Sequence, residues 1–344
     1  MDKKLKAAVI GLTIGTSHVH DYLNNPNVCE VVPCDLNPEK LAAVQEKYGL
    51  TKGNADYKEM LAAEKPDIVS VCVPNFLHKR VVTDALESGA HVLSEKPLAR
   101  TAEEGREIQE VSRRTGRKLM VNFNRRYLDS SIVLKEWIEQ GKLGRIYYAV
   151  TKWQRVRGVP WWYPLDDAKR KVGGGPMIDL GVHMMDLCMW LCGYPEAEWV
   201  SGRAFSDIAP REAADHGFAS LDVEDMGVAM VTMKNGMMME VEASWASNSE
   251  IPTDNIEVRL YGTEGGAVIK AGCDKCSLVI IGKKSEVEVQ PLPEPTRSLT
   301  IRDAFVKAVL EDNEVPCTPD QAIAISRIID CVYESTRTGA PMKV

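Results

Sequence analysis

Three ionisable side chains recur along one short apolar stretch of the chain. Asp179, His183 and Asp186 are spaced so that, on a helix, they share one narrow stripe. An imidazole with carboxylates beside it is suited to acid–base chemistry near neutral pH. The same groups could instead bind a metal ion, or bond only to one another and to nearby backbone, so the residue types alone leave three alternatives open.

A helix must carry these groups, and its predicted ends are clear. It begins near Pro176, after three consecutive glycines, and ends at Gly193, because proline is favoured in a first turn and glycine after a last one. The other positions are apolar almost all round, which is typical of a buried helix. Ionisable groups on a buried helix must be paired, or must line a cavity that a polar ligand occupies.

A second candidate site follows the first predicted strand, residues 6–12. The run Gly11-Leu12-Thr13-Ile14-Gly15-Thr16 lies where a dinucleotide-binding fold carries its phosphate loop, and Ser17–Asn24 is predicted as the helix after it. The glycine fingerprint is imperfect, because Thr13 replaces the second glycine and Gly15 comes one residue early. A threonine hydroxyl can itself donate to phosphate, so the departure does not imply loss of binding.

A carboxylate supports the dinucleotide interpretation. Asp35 ends the next predicted strand, 24 residues after Gly11, which is close to the spacing at which an acid reaches the adenosine ribose hydroxyls. Arginine is absent from the residues directly after it, Leu36-Asn37-Pro38. Because a carboxylate there repels a 2′-phosphate, the predicted cofactor is NAD rather than NADP.

Strands and helices alternate through the first third of the chain, which predicts a parallel sheet covered by helices on both faces. The elements predicted after Asp35 are helices at 38–48 and 56–63, a strand at 68–73, a helix from about His78 through Glu87, a strand at 91–93, a helix at 102–115 and a strand at 118–123. Ligands bind at the carboxyl ends of such strands. Five groups fall at those ends, namely Gly11, Asp35, Pro74, Glu95-Lys96 and Asn124.

Three short motifs, in order, carry a resemblance to a known family. With Pro74-Asn75-x-x-His78, Glu95-Lys96-Pro97 and Asp179-x-x-x-His183, the chain resembles the Gfo/Idh/MocA oxidoreductases, the family of glucose–fructose oxidoreductase and inositol dehydrogenase. The resemblance spans nearly the whole chain and is strongest over residues 6–130 and 173–193. It implies an α/β protein with an N-terminal Rossmann dinucleotide-binding domain and a C-terminal α+β domain containing a large, mostly antiparallel open sheet.

The resemblance also implies roles for particular residues. Lys96 is expected beside the nicotinamide and the Asp/His helix is expected to supply the acid–base group, so the predicted catalytic residues are Lys96, Asp179 and His183. The predicted cofactor contacts are Gly11, Thr13, Ile14, Gly15, Asp35, Val73, Pro74, Asn75, His78, Glu95 and Lys96. The predicted substrate contacts are Lys96, Arg126, Arg157, Trp162, Asp179 and His183. No metal is expected, because Lys96 would bring a positive charge into the same cavity.

The pattern changes after residue 124, so we predict a Rossmann domain at 1–124 and a substrate-binding and oligomerisation domain at 125–344. A helix is predicted at 130–140, and Asn235-Gly236 is a strong hairpin signal. Alternating strands are predicted at 146–157, 199–205, 223–233, 237–245, 256–261 and 266–270.

The family's sheet commonly forms an oligomer contact, so a homo-oligomer, dimer or tetramer, is expected through the open face. Two amphipathic helices at 300–338 are expected to pack back near the domain junction.

An aromatic loop precedes the Asp/His helix. It runs from Gly158 to Pro164, contains Trp161 and Trp162, and has basic residues on both sides at Arg155, Arg157, Lys169 and Arg170. Rings beside hydrogen-bonding groups suit a sugar, whose C–H faces stack while its hydroxyls need polar partners. Either tryptophan could instead anchor the loop to the sheet, and both alternatives stay open for each ring.

Composition narrows the class of protein. A chain of 344 residues with 44% apolar and 26% charged residues is typical of a two-domain globular enzyme. A net charge of −7 without a basic run argues against a nucleic-acid partner. The sequence has neither a long apolar span nor a signal-peptide core, so a cytoplasmic protein without membrane contact is expected. The odd number of cysteines, 9, predicts reduced thiols, and Cys273-Asp274-Lys275-Cys276 is predicted as a turn rather than a zinc site.

The resulting hypothesis is an NAD-dependent dehydrogenase. It would transfer a hydride between nicotinamide and a ring hydroxyl of a sugar, glycoside or cyclic polyol. Two alternatives belong to the same scaffold. One is a glycoside hydrolase that oxidises its sugar transiently and keeps the NAD, and the other is a regulator that binds dinucleotide without catalysis. The joint presence of Lys96, Asp179 and His183 argues against the regulator.

Overall fold

The computed structural model describes residues 4–163, 165, 167–250, 254–270, 276–281, 287–291 and 299–344. By the proximity of their Cα atoms, the residues form two compact units, Met1–Asn124 with Leu299–Ile323 and Arg125–Ser298 with Ala324–Val344. Two predicted features fall partly outside the described residues. They are the turn at Cys273-Asp274-Lys275 and the end of the aromatic loop at Pro164.

The first unit contains a five-stranded parallel sheet. Its strands are β1 Leu5–Ile10, β2 Val28–Cys34, β3 Ile68–Val71, β4 His91–Ser94 and β5 Leu119–Val121. Their order is β2-β1-β3-β4-β5, and each neighbouring pair is parallel. The order reverses between β1 and β3, the place at which open α/β sheets bind their ligands. The predicted Rossmann-type fold is therefore confirmed, and the buried apolar runs of its strands reflect helices on both faces.

Five helices follow these strands. They are α1 Leu12–Asn24, α2 Pro38–Tyr48, α3 Tyr57–Glu64, α4 Asn75–Glu87 and α5 Ala102–Thr115. The predicted ranges for α2 and α5 are confirmed to the residue, since each begins at a side-chain cap and ends before a left-handed glycine. The predicted start of α1 at Ser17 is wrong. Gly11, with a φ of 90°, turns the chain so sharply that the helix begins at the next residue, and most of the expected loop is its first turn.

The second unit contains a nine-stranded sheet. Its strands are β6 Ile146–Arg155, β7 Ala197–Phe205, β8 Met226–Met233, β9 Met238–Ser244, β10 Asp254–Gly262, β11 Gly266–Lys270, β12 Cys276–Ile281, β13 Val287–Pro291 and β14 Met342–Lys343. Their order is β13-β12-β11-β10-β6-β9-β8-β7-β14. All neighbouring pairs are antiparallel except β6 and β9, so the mostly antiparallel prediction is confirmed, although β12 to β14 were not predicted.

Strand geometry explains the hairpin turn and the different exposed fractions of Met237, Met238 and Met239. Gly236 has a φ of 82° between the antiparallel strands β8 and β9, which confirms the predicted turn at Asn235-Gly236. Successive side chains of a strand point to opposite faces. Met237 and Met239 are buried at 1% and 0% exposure, whereas Met238 is 36% exposed. Two of the three methionines therefore belong to the core, and one lies on the open face.

The described α-helices that lie between residues 125 and 298 are α6 Asp129–Glu139, α7 Ala168–Val172, α8 Val182–Leu191 and α9 Ala209–Glu212. Of these, α8 packs against β6 and β10, and α6 packs against β11 and β12. The C-terminal prediction of two helices is met by α10 Ile301–Leu310 and α11 Pro319–Thr338. A capping box of Thr300 and Asp303 starts α10, which lies in the first unit against α1. Among the described residues, no helix has the length and apolarity needed to cross a bilayer.

Candidate active site

The turn after β1 needs glycine at two positions. A Cβ added to Gly11 would lie 2.5 Å from the carbonyl oxygen of Cys72, at the end of β3. A Cβ added to Gly15 would lie 2.8 Å from the Cγ1 atom of Val9, so α1 packs directly on β1. These are the tight-turn and close-packing roles of the dinucleotide fingerprint. They are retained although Thr13 occupies the position of a glycine.

The start of α1 fits a phosphate. Gly11, the N-cap residue, has no side chain to cap this helix, and Thr13 and Ile14 are exposed in its first turn, so the positive end of the helix dipole is accessible to an anion beside them. Asp35 lies at the same place, where its Oδ2 atom accepts the backbone N–H of Leu12 at 2.7 Å. The residues present therefore fit a dinucleotide, with the phosphates at the helix start and the ribose near the carboxylate.

One basic residue here was not predicted. The Nζ atom of Lys40, in the first turn of α2, donates to the Oγ1 atom of Thr13 at 2.7 Å. The lysine lies five residues after Asp35 in the sequence, beyond Leu36-Asn37-Pro38. It brings a positive charge to the threonine that replaces the second glycine.

The turn after β3 is tied to the Glu-Lys-Pro turn through His78. Pro74 precedes α4 and Asn75 begins it. The ring of His78, one turn further on, is buried, with its Nδ1 and Nε2 atoms 2.7 and 2.8 Å from the carbonyl oxygens of Pro97 and Val73. Burial lowers the pKa of His78, and its carbonyl partners work against that shift. This histidine, predicted as a cofactor contact, thus joins two loops at the carboxyl ends of β3 and β4.

Glu95 of the Glu-Lys-Pro turn is buried at 6% exposure. Its Oε1 atom lies 3.0 Å from the Nε2 atom of His18 and also accepts from the amide of Asn122. Its Oε2 atom accepts the backbone N–H of Lys96 at 3.3 Å. Burial alone raises the pKa of Glu95, but the bonds from His18 and Asn122, with the charge of Lys96, hold that pKa below its ordinary value.

The glycines before the Asp/His helix allow two side chains to approach it. A Cβ on Gly174 would lie 1.9 Å from the hydroxyl of Tyr333, and a Cβ on Gly175 would lie 2.0 Å from the carbonyl oxygen of Glu224. The Glu224 carboxylate accepts the backbone N–H groups of Gly175 at 2.9 Å and Met177 at 3.1 Å, and the hydroxyl of Tyr333 at 2.9 Å. Sequence reasoning missed this buried acid, which satisfies the otherwise unpaired donors at a helix start.

The predicted helix at 176–193 is two segments. Met177–Gly181 is a π-helical turn, and α8 continues from it. Asp179 lies in the π-helical turn, where its Oδ2 atom accepts the indole N–H of Trp245 at 3.0 Å. Trp245 is buried at 1% exposure just after β9. Such turns widen a helix locally and are frequent at functional sites, and here the widened turn carries the candidate acid.

His183 lies in the first turn of α8 against an indole ring. It is 8% exposed, and its ring centroid is 5.6 Å from that of Trp153 on β6. The indole N–H of Trp153 donates to Asp254 at 3.0 Å, and the guanidinium of Arg125 lies 4.6 Å from the Trp153 ring. Arg155 also bonds Asp254, and these bonds hold the pKa of Asp254 below its ordinary value although burial raises it. A firmly held indole therefore fixes the position of the candidate base.

Asp186 pairs with Arg126 inside the second unit. The guanidinium donates through Nε to Oδ2 at 2.9 Å and through Nη2 to Oδ1 at 2.6 Å, and the hydroxyl of Tyr194 donates to Oδ1 at 2.5 Å. Arg126 and Asp186 are 2% and 0% exposed. Burial raises the pKa of Asp186, and the charge of Arg126 opposes the rise. The structure thus gives Arg126, predicted as a substrate contact, a buried carboxylate partner.

The other predicted substrate contacts differ in their surroundings. Arg157 bonds Glu212 at 2.9 Å and the carbonyl oxygen of Ser247 at 3.0 Å, so it holds the segment after β9. Trp161 stacks on the ring of His216 with centroids 4.4 Å apart, as an anchor of the aromatic loop would. Trp162 is 76% exposed. Of the two alternatives for this loop, Trp161 has the contacts of an anchor and Trp162 the exposure that stacking on a ligand requires.

Comparison with known proteins gives the family. The description "Oxidoreductase family, NAD-binding Rossmann fold" matches residues 5–123, and the "GFO/IDH/MocA C-terminal domain" matches residues 132–268. These two matches define an oxidoreductase with an NAD-binding domain. The chain belongs to the Gfo/Idh/MocA family, and the predicted resemblance is confirmed.

Named relatives agree in length and fold. The chain is 30% identical over 346 residues to D-glucoside 3-dehydrogenase of Escherichia coli (strain K12), covering 99% of this chain and 97% of the relative. It is 27% identical to levoglucosan dehydrogenase of Pseudarthrobacter phenanthrenivorans, covering 69% and 64%. The solved structure of levoglucosan dehydrogenase in complex with NADH and levoglucosan superposes with a TM-score of 0.86 at 23% identity, covering 99% and 100%. This last likeness shows the shared fold.

Proposed function

We propose that the protein is an NAD-dependent dehydrogenase that removes a hydride from the carbon bearing a ring secondary hydroxyl of a sugar, glycoside or cyclic polyol. The observation that carries the proposal is the Asp/His helix, where Asp179 is held by the Trp245 indole at 3.0 Å and His183 lies against Trp153. Such a constellation, a base and a carboxylate one turn apart on a rigid element, serves acid–base chemistry on a hydroxyl. The likeness to a glucoside dehydrogenase favours a glycoside among these substrates.

His183 is the proposed base. Its imidazole takes the proton of the substrate hydroxyl while the hydride leaves the same carbon, and it returns the proton in the reverse direction. The contact with Trp153 holds the ring plane, so that the base meets the hydroxyl in one orientation. Bound NAD supplies the hydride acceptor.

Lys96 and Asp179 are the proposed partners of the base. The Lys96 ammonium stabilises the developing alkoxide, because a fixed cation near an oxygen favours its charged form. Asp179 accepts a neighbouring hydroxyl of the substrate, since its carboxylate is an acceptor that Trp245 holds in place. Lys96 lies in the first unit, and Asp179 and His183 lie in the second.

The proposed cofactor is NAD rather than NADP. The Asp35 carboxylate at the start of α1 accepts the ribose hydroxyls and repels a 2′-phosphate. We expect Asp35→Ala to raise the Kd for NAD about 10-fold and to lower the preference for NAD over NADP by more than that. Isothermal titration with both cofactors measures the two values.

A matched variant tests whether that effect is specific. Asp56 caps α3 through the backbone N–H of Lys58 at 2.7 Å and is exposed, so Asp56→Ala removes a capping carboxylate of the same unit. We expect it to lower the melting temperature without changing the ratio of the two cofactor affinities. An Asp35→Ala variant with an unchanged ratio would disprove the ribose assignment.

The substrate class is tested by NADH formation. We expect absorbance to rise with NAD and at least one compound from a panel of aldoses, alkyl and aryl glycosides, anhydrosugars and inositols.

With that substrate, Lys96→Met should lower kcat about 10²-fold, because methionine keeps the stem and removes the charge, while the Kd for NADH changes little. A Lys96→Met variant with the turnover of the unaltered enzyme would contradict the mechanism. Cleavage of an aryl glycoside without net NADH would instead identify the hydrolase alternative.

We also propose that the protein is an oligomer and that it works in the cytoplasm. The open face of the second sheet carries Met238, which is 36% exposed, beside the paired side chains of Tyr148 and Glu240, and we expect it to join copies of the chain into a dimer or tetramer. Analytical ultracentrifugation of Met238→Glu tests this, and an unchanged mass would contradict it.

The free cysteines among the described residues suit a reducing cytoplasm, and fractionation of the source cells would locate the enzyme.

A further inference from the structure

A buried chain of polar side chains runs inside the first unit from α1 to the Glu-Lys-Pro turn. The hydroxyl of Tyr22 lies 2.8 Å from the Oγ atom of Ser70, and this atom lies 2.9 Å from the Nδ1 atom of His18. The Nε2 atom of His18 lies 3.0 Å from Glu95, and the amide of Asn122 donates to the same carboxylate oxygen. None of the roles proposed above uses Tyr22, Ser70, His18 or Asn122.

These side chains are buried deeply enough to require partners. Tyr22, His18 and Ser70 are 0% exposed, and Asn122 is 3% exposed. Polar groups placed in a core cost free energy unless each finds a hydrogen bond. The bonds that link Tyr22, Ser70, His18 and Glu95 hold these four side chains in one geometry. This buried chain of hydrogen-bonded side chains therefore fixes the side chain of Glu95 relative to α1.

The direction of the central bond follows from the chemistry of its partners. An ionised carboxylate only accepts, so the Nε2 atom of His18 must carry the hydrogen that faces Glu95. Ser70 can give its hydroxyl hydrogen to the Nδ1 atom of a neutral His18 and receive one from Tyr22. In that arrangement each group donates once, and the negative charge rests on Glu95 beside Lys96.

A metal ion is the main competing explanation. His18, Cys72 and Glu95 each offer a ligand atom, and these atoms lie within 4.8 Å of one another. Both ring nitrogens of His18 already lie at hydrogen-bond distance from Ser70 and Glu95, so a metal would displace one of those bonds. Burial also raises the pKa of the Cys72 thiol well above its ordinary value, which disfavours the thiolate that a metal binds. The hydrogen-bonded arrangement is the better account.

We infer that His18 and Ser70 are positioning residues that act on Lys96 through the Glu95 carboxylate. The inference rests on the proposed function, in which Lys96 stabilises the alkoxide. Glu95 links to Lys96 in two ways, as its neighbour in the chain and through the bond from the Lys96 N–H to Oε2 at 3.3 Å. Because His18 belongs to α1, the helix whose start faces the dinucleotide also holds the backbone of the Glu-Lys-Pro turn.

The charge of Glu95 depends on several neighbours. The titratable groups that interact with it are His18 from α1, Cys72 after β3, His78 from α4 and Lys96. Burial works against the carboxylate, and the His18 bond works for it. Without His18, Glu95 takes up a proton at a higher pH than before. A protonated Glu95 is a weaker acceptor, so it holds the Lys96 N–H less firmly.

Hydrogen–deuterium exchange of the full chain, followed by NMR, measures the exchange rate of the Lys96 backbone N–H without reference to activity. We expect His18→Leu to raise that rate about 10-fold, because Glu95 loses the partner that holds it against this N–H. We also expect it to lower kcat about 10-fold while the Kd for NAD stays within about threefold. Glu95→Gln should change the exchange rate in the same direction, and His18→Leu should add nothing to it in the double variant, because both changes remove one interaction.

Two further variants keep the test decisive. His18→Gln retains an amide N–H for Glu95 and should return the exchange rate toward that of the unaltered protein, even if His18→Leu folds poorly. Asn25→Ala is the matched control, because the Asn25 side chain also bonds from the end of α1, to Asp303 at 2.7 Å, while its bond to Tyr22 is made by the backbone N–H, which alanine keeps. It should lower the melting temperature and leave the Lys96 exchange rate unchanged.

The outcomes separate this inference from the proposed function. An unchanged exchange rate in His18→Leu, or additive changes in the double variant, would overturn the inference even if Lys96→Met is inactive. One equivalent of zinc in the purified protein, lost in His18→Leu, would overturn it in favour of the metal. A fully active Lys96→Met variant would refute the proposed function, while the exchange data would still report whether His18 holds the Glu-Lys-Pro turn.

Discussion

Replacing His183 with alanine is expected to lower kcat about 10³-fold, the order of magnitude that a positioned general base contributes. The ring lies in the first turn of α8 with 8% exposure and packs on Trp153, so its removal takes away the proposed proton acceptor and leaves the fold of the sheet in place. The binding of NADH belongs to the first unit and should change little. Stopped-flow absorbance and NADH titration measure the two quantities.

The pH profile distinguishes a base from a merely structural ring. In the unaltered enzyme, kcat/KM for alcohol oxidation should rise with pH as the base loses its proton, and in His183→Ala this rise should disappear. His20→Ala is the matched control, because this exposed imidazole lies beside Tyr48 with centroids 6.1 Å apart. It should keep both the turnover and the profile. Retention of the profile in His183→Ala would mean that another group is the base.

Replacing Asp186 with alanine is expected to destabilise the protein by about 3–5 kcal/mol, because it leaves a buried guanidinium without its carboxylate. Arg126 and Asp186 share two hydrogen bonds at 2.9 and 2.6 Å. We expect a large fall in melting temperature by calorimetry for Asp186→Ala, and a similar fall for Arg126→Ala. The double variant Arg126→Met/Asp186→Leu should recover most of the loss, since buried ion pairs can be replaced by apolar residues.

The double variant also tests the predicted substrate role of Arg126. If the arginine only pairs with Asp186, the double variant keeps the KM of the unaltered enzyme once it folds. If the arginine also contacts the substrate, KM rises even though stability is restored. Glu139→Gln is a suitable control, because Glu139 forms only a surface pair with Lys135 at 3.7 Å, and such pairs contribute little to stability.

Local patterns in the sequence were enough to predict the elements of the first unit. The helices Pro38–Tyr48 and Ala102–Thr115 have side-chain caps at their starts and glycine after their ends, signals that act within a few residues. The helix after β1 was predicted five residues late, at Ser17 rather than Leu12. Its start depends on the φ of 90° at Gly11, a position where the approach of the Cys72 backbone, far along the chain, leaves no room for a side chain.

The candidate site shows the same division between local and distant causes. Helical spacing placed Asp179, His183 and Asp186 near one another, and the family motifs added Lys96. Spacing could not identify their partners. Trp245 is 66 residues from Asp179, and Arg126 is 60 residues from Asp186. No periodic signal connects such pairs, because a strand that alternates buried and exposed residues has the same pattern whichever helix covers it.

By itself, the sequence determined the alternation of strands and helices, the NAD-binding class of the first unit, and the residue types able to move a proton and stabilise an alkoxide. These properties depend on period, capping and side-chain chemistry, which are local. Only the tertiary structure decided that Asp186 has a buried arginine, that Asp179 lies in a π-helical turn held by an indole, and that His18 supports Glu95. Those facts depend on which distant elements pack together, and packing is a property of the whole folded chain.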